Sequence, residues 1–326
     1  MNRAGYRRGV RGVGLVAAAL FLRAVPGLAQ APAPGPQDPS TGDAARLYAG
    51  ACAPCHGRLG DGNGRGSRLL GAPKPRDFTS GTFKFRRTPT GSLPADEDMY
   101  RTISRGVPGT WMPAWEDLLS PAQRWALVRY IKGFSEFFAE EEPDPAVEIP
   151  PEPGPSPELL REGRFVYVML KCWDCHGSLG RGDGPSAAEL TDDWGERIKP
   201  YDFTRGGYKN GSAPSDLYRT LVTGLNGTPM PAFERDIVAF PGGAKVDVGP
   251  VREAVDAESL PELEAYLAGQ PTAAELEAMP EAALEELVQR RLWALVYYVR
   301  SLNRPKGAFY WLFGENPEMA GEGGER

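Results

Sequence analysis

Apolar positions recur at helical spacing in several separate stretches of the chain, and these fix the elements to expect. Ala44, Ala45, Leu47 and Tyr48 form one face of a short helix over residues 41–51 that runs into Cys52. Ser156-Pro157-Glu158 opens a second helix, carrying Leu159, Leu160, Phe165 and Val166 toward Cys172. Asp98-Met99-Tyr100-Arg101-Thr102 and Asp216-Leu217-Tyr218-Arg219-Thr220 each start a short helix. Ser120 and Pro121 supply an N-cap and a first-position proline to an amphipathic helix with Leu127, Tyr130 and Ile131 at core spacing. Residues 273–290 also have a helical pattern.

These elements are two copies of one series. Gly57-Arg58-Leu59-Gly60-Asp61-Gly62-Asn63-Gly64 returns as Gly177-Ser178-Leu179-Gly180-Arg181-Gly182-Asp183-Gly184 at an offset of 120. Pro75-Arg76-Asp77-Phe78-Thr79 returns as Pro200-Tyr201-Asp202-Phe203-Thr204, Gly109 to Trp115 as Gly227 to Phe233, and Trp125-Ala126-Leu127-Val128 as Trp293-Ala294-Leu295-Val296. Self-similarity at this length marks a duplicated domain. From methionine to tryptophan the separation is 13 residues in the first copy (Met112 to Trp125) and 63 in the second (Met230 to Trp293). The second copy therefore holds an acidic insertion over about 234–290, read either as a surface elaboration covering one edge or as a docking element for a partner. Between the copies, residues 140–157 are rich in proline and acid, which favours an extended linker without a core. The expected organisation is a first domain over 41–139, the linker over 140–157, a second domain over 158–304 and a tail over 305–326.

Length adds little to this, since 326 residues suggest about two domains. The N-terminus adds more. Arg3, Arg7, Arg8 and Arg11 precede an apolar run from Val13 to Leu22, and Gly27-Leu28-Ala29 offers small residues for cleavage. Residues 1–29 are expected to be an export signal and 30–40 a loose leader. The apolar run is shorter than the roughly 18 residues a membrane span needs, although an uncleaved anchor stays open as an alternative. Removal of this segment, with five arginines and no acid, takes the formal net charge from −6 to −11. That balance argues against a nucleic-acid partner.

The chemistry sits at Cys52-Ala53-Pro54-Cys55-His56 and its twin Cys172-Trp173-Asp174-Cys175-His176, which together use all four cysteines and both histidines of the chain. C-x-x-C-H is the attachment pattern of a c-type haem. Its two thiols bond the haem vinyl groups and the adjacent imidazole binds iron. A structural zinc site and a pair of disulfides are the competing readings, and both leave the two histidines unexplained. Two covalently bound haem c groups are therefore expected, held by Cys52, Cys55, Cys172 and Cys175, with His56 and His176 as axial ligands. No histidine or cysteine remains for the opposite side of either iron. Of seven methionines, only Met112 and Met230 occupy matching places, each followed by Pro-Ala. They are the candidate second ligands, against the ordinary alternative of core packing.

On these residues, Cys52-x-x-Cys55-His56 with Met112-Pro113 and Cys172-x-x-Cys175-His176 with Met230-Pro231, the chain resembles the tandem dihaem class I c-type cytochromes. The resemblance covers both halves and implies an all-α fold, two cytochrome c-like domains each wrapped around one covalent haem. It implies low-spin iron and electron transfer at an exposed haem edge. It also implies a backbone carbonyl accepting the imidazole hydrogen bond, with Pro185 the candidate in the second copy and Arg65 opposite it in the first. Histidine–methionine ligation makes both haems relatively oxidising. The function expected is an exported carrier of electrons between respiratory redox partners, periplasmic or otherwise outside the cytoplasm and open to membrane association through a partner, without catalytic residues of its own. Many tandem dihaem forms look like dedicated subunits, so a membrane or molybdenum oxidoreductase is a candidate partner. The rival is a dihaem peroxidase-like enzyme in which one iron opens for substrate, and a gas sensor in which a ligand displaces methionine is a third reading.

Overall fold

A computed structural model describes residues 41–238 and 259–303. The expected export signal, leader and tail, and the middle of the insertion, lie outside the described residues.

In the first copy α1 (Thr41–Leu47) widens into a π turn over Tyr48–Cys52 and continues as α2 (Ala53–His56). After α3 (Arg65–Leu70) and α4 (Asp96–Arg105) comes α5 (Pro121–Lys132), closed by α6 (Phe137–Glu140). The start of α5 is fixed locally. Ser120 Oγ accepts the Gln123 N–H at 3.2 Å and Gln123 Oε1 accepts the Ser120 N–H at 2.8 Å, a reciprocal cap. Asp98, fully buried, accepts from the backbone of Arg87 at 2.9 Å and Ala95 at 3.2 Å and pairs with Arg87 Nε at 2.9 Å. Tyr48, Met99, Ile103, Leu127, Val128 and Ile131 form the core, with Tyr130 packed at its edge.

The second copy begins with α7 (Pro157–Met169), where Ser156 Oγ accepts the Leu159 N–H as the sequence leads one to expect. It continues through α8 (Cys172–His176) and α9 (Pro214–Thr223). Then follow α10 (Leu260–Ala268), α11 (Ala273–Glu277) and α12 (Glu281–Ser301). Helices α7 and α12 cross almost backbone to backbone, since a Cβ on Gly163 would stand 2.0 Å from the Ala294 carbonyl oxygen. Around this crossing Val166, Tyr167, Leu217, Leu292, Leu295 and Val296 are buried. Among the described residues there is no sheet, only one antiparallel bridge between Thr191 and Arg197.

The helical pattern over 273–290 divides differently from its simplest reading. Helix α11 ends before Pro280, and α12 runs unbroken through Trp293, so the last residues of the insertion extend the closing helix. Earlier in the insertion, α10 places fully buried Leu263 against Phe165 and Val168 of α7, with the Tyr266 and Phe165 rings 5.1 Å apart. This part covers one edge of the second copy.

Residues 141–156 form no helix, yet they are tied to both copies. Val147 donates to the Arg87 carbonyl at 2.7 Å and Asp144 N–H to Ser92 Oγ at 3.0 Å, while Tyr297 donates to Glu152 at 2.9 Å. The copies also meet directly. Arg86 Nη2 donates to the Thr223 carbonyl at 2.6 Å, the Gly91 N–H to Asn226 Oδ1 at 3.2 Å and Arg101 to Asn210 Oδ1 at 3.0 Å.

Candidate haem sites

Each site grows from a short helical turn in which the two cysteines stand three residues apart and the histidine comes last: Cys52 ends the π turn just before α2, which carries Cys55 and His56, and α8 carries Cys172, Cys175 and His176. All four thiols are free and half-buried. Burial is the first cause that pushes the Cys52 and Cys172 thiols up to about 12, with the neighbouring cysteine adding to it. Neither site needs a thiolate to stay there, because a thiol joined to a vinyl group becomes an uncharged thioether.

The imidazoles are held in the same way twice. His56 Nδ1 is 3.0 Å from the Arg76 carbonyl oxygen and His176 Nδ1 is 3.1 Å from that of Tyr201. A carbonyl only accepts, so Nδ1 carries the proton and Nε2 keeps its lone pair. Burial lowers both imidazole pKa values, which keeps the rings neutral as an iron ligand must be. The accepting carbonyl is thus not that of Pro185 or Arg65 but of the residue after Pro75 and Pro200. Phe78 and Phe203 stack on the imidazoles, with centroids 4.5 and 4.4 Å away and planes tilted by 17°. Tyr48 and Tyr167 donate to the Gly57 and Gly177 carbonyls at 2.8 and 2.6 Å, closing the turn that follows each histidine.

The repeated glycines bring these strands of chain together. Gly62 and Gly182, with φ of 74° and 72°, donate to the His56 and His176 carbonyls at 2.9 and 2.8 Å. A Cβ there would stand 2.8 Å from the Pro75 carbonyl oxygen and 2.6 Å from that of Pro200. Only glycine allows both the positive φ and the close passage.

Met112 and Met230 sit half-buried in loops with matching hydrogen bonds. The Met112 carbonyl accepts from Val107 at 3.0 Å, and its N–H donates to Thr110 Oγ1 at 3.1 Å. The Met230 carbonyl accepts from Leu225 at 3.2 Å, and its N–H donates to Thr228 Oγ1 at 3.3 Å. The loops part company at their surroundings. Trp111 is 65 % exposed, its indole donating to the Leu70 carbonyl at 3.0 Å, whereas the second loop is seated on the first copy through Thr223 and Asn226.

These residues fit haem. Free thiols, a neutral imidazole with Nε2 unengaged and a half-buried thioether recur in both copies. Among the described residues no group of three or more His, Cys, Asp and Glu stands close enough to hold a metal ion, so the cysteine pairs do not combine into one site. Arg86, fully buried, leaves Nη1 without a partner in the protein and its pKa is lowered by burial to about 10. A haem carboxylate is an acceptor of the kind that guanidinium lacks. Sequence reasoning missed Phe78, Phe203, Tyr48 and Tyr167. The repeated Pro-x-Asp-Phe-Thr segment was the signal for the two phenylalanines.

Comparison with known proteins agrees. The family described as "Cytochrome C oxidase, cbb3-type, subunit III" matches residues 39–131, and the family described as "Cytochrome c" matches residues 160–241. Among solved structures, a chain of the Kuenenia stuttgartiensis reducing HAO-like protein complex Kustc0457/Kustc0458 is 40 % identical, with a TM-score of 0.62. The match covers 80 % of this chain and 95 % of that one. No curated protein was similar enough to match. No helix among the described residues is long and apolar enough to cross a membrane. With two such domains in tandem, each built on its own C-x-x-C-H turn, the chain belongs to the dihaem c-type cytochromes, electron-transfer proteins with two covalently bound haem c groups.

Proposed function

We propose that the chain is an exported carrier of single electrons, serving as the cytochrome subunit of a larger oxidoreductase. Cys52, Cys55, Cys172 and Cys175 hold the two haems covalently, His56 and Met112 ligate one iron, and His176 and Met230 ligate the other. Bound haem supplies an iron that cycles between ferric and ferrous states. The chain's part is to keep each imidazole neutral, fix its ring plane through the Arg76 or Tyr201 carbonyl, and keep bulk water from the iron.

The observation that supports this best is the equivalence of the two methionine loops, held by corresponding threonines, Thr110 and Thr228, and by corresponding bonds to the methionine carbonyl. A peroxidase-like enzyme needs one iron side left open, and the hydrogen bonds of the loops single neither out. Membership of the similar Kuenenia chain in a reducing HAO-like complex supports an oxidoreductase as partner. A molybdenum or membrane enzyme is one form that partner takes, and export agrees with covalent haem attachment.

Spectroscopy of the purified holoprotein tests the ligands. The ferric protein is expected to show the weak methionine-to-iron charge-transfer band. Met112→Ala and Met230→Ala each remove about half of it, since two equivalent thioethers share the signal. High-spin iron at rest, or a band untouched by either substitution, contradicts the assignment and returns weight to an enzyme. Co-isolation of a membrane or molybdenum oxidoreductase with the full chain identifies the partner.

A further inference from the structure

One segment of the second copy touches parts of both sites at once. Between the bridged residues Thr191 and Arg197 the chain alternates, with Asp192, Trp194 and Glu196 half-buried and Asp193 and Gly195 exposed. The half-buried set faces three cations of the first copy. Glu196 pairs with Lys74, Asp192 lies 3.8 Å from Lys84, and the Arg76 guanidinium sits 4.4 Å above the centre of the Trp194 ring. Asp192 stiffens the segment by accepting the Trp194 and Glu196 N–H groups at 3.2 and 3.0 Å.

On its other side Trp194 meets the second methionine loop. Its six-membered ring is so close to Gly227 that a Cβ there would stand 2.6 Å from Cζ3 and 2.7 Å from Cη2. Gly227 has φ of 76°, and its carbonyl accepts the Asp193 N–H at 3.2 Å. Three residues later comes Met230. On the first-copy side, the backbone carbonyl of Arg76 is the one that accepts from His56. The indole therefore joins the residue that orients one imidazole to the loop that presents the opposite copy's thioether. Gly109, the counterpart of Gly227 in the first methionine loop, has open space where a Cβ would stand, and Trp111 beside Met112 is mostly in solvent.

We propose that Trp194 is a positioning residue that locks the Met230 loop against the Arg76 segment, so that methionine ligation in the second site depends on the first copy. This rests on the ligand assignment above. A cation over an indole face and a ring packed on a glycine both resist loop opening, whereas the Met112 loop opens without breaking either contact. Energy coupled between two sites in this way is reciprocal.

The test uses the full-length ferric holoprotein carrying Met112→Ala, so that the remaining charge-transfer band reports Met230 alone. Imidazole is added to displace the thioether, and its apparent affinity measures how often the loop opens. Trp194→Ala is expected to raise that affinity about tenfold, the loss of one desolvated cation–π contact with its packing. Arg76→Leu, which keeps the carbonyl to His56, raises it by a similar factor, and Trp194→Phe restores most of the parent value. Unchanged imidazole affinity in both Trp194→Ala and Arg76→Leu, with both haems retained on a denaturing gel, overturns the proposal. A band that survives Met230→Ala added to the Met112→Ala background overturns the ligand assignment instead, and the proposal with it.

Discussion

Lys84 shows how much a single side chain is asked to do at the junction of the copies. Its pKa is held down to about 8, first by burial and then by the Arg76 charge, with Asp192 acting in the opposite sense. The folded protein thus gives up this proton at a lower pH than the unfolded chain, whose lysine titrates near 10.5. Between those values the unfolded state binds more protons, so this group makes the fold more stable as pH rises through that window. Relative to Lys84→Met, the parent should gain stability between about pH 8 and 10.5 in denaturant titrations, and a constant difference would contradict the assignment. The candidate site was legible where a side chain's own chemistry marks it out. Cys52, His56, Met112 and their partners stand out by type and spacing, whereas Phe78 and Phe203 look like ordinary core rings until the imidazole beside them is seen. The imidazole's own partner is a main-chain carbonyl, which any residue supplies, so Pro185 was as good a candidate as Tyr201.

Helix pairs carry a different kind of information, and Gly163 is the clearest case. Inside α7 a glycine costs about 1 kcal/mol of helix propensity against alanine. The crossing with α12 explains it, because any Cβ would run into the Ala294 carbonyl. Gly163→Ala is expected to destabilise the second copy by about 1–3 kcal/mol net despite the propensity gained, as overpacking does. Thermal unfolding of the holoprotein checks the sign. Ala44, also buried, precedes Tyr48 by the same four residues as Gly163 precedes Tyr167, so both copies put a small residue there. Helix starts were readable because Ser120-Pro121 and Ser156-Pro157 declare them locally. The continuity of α12 was not, because residues on either side of the insertion's end share one helical period, and only packing on α7 tells where the closing helix begins.

Over the whole molecule, net charge is a coarse guide to docking. The formal total of −6 suggests a basic partner, but α3 carries exposed Arg65, Arg68 and Leu69, and exposed Trp111 is bonded to the Leu70 carbonyl at its end. Arg65 and Arg68 would attract an anion locally. Oxidation of the reduced protein by ferricyanide should slow several-fold in Arg65→Glu/Arg68→Glu at low ionic strength, and stopped-flow traces should converge at about 1 M salt, where screening acts within about 3 Å. Equal rates at low salt would place electron exit elsewhere. The doubling of the fold was plain from the repeats, while the way the copies lean on each other was not, since it depends on residues such as Arg86 and Asn226 that lie outside the repeated motifs. Arg86 has a further consequence. Buried in the pair and bonded to the Thr223 carbonyl across the junction, it would be stripped of that acceptor in a fragment ending before the linker. The first half on its own would thus carry a buried guanidinium short of one acceptor, and it is expected to be less stable cut out than in place.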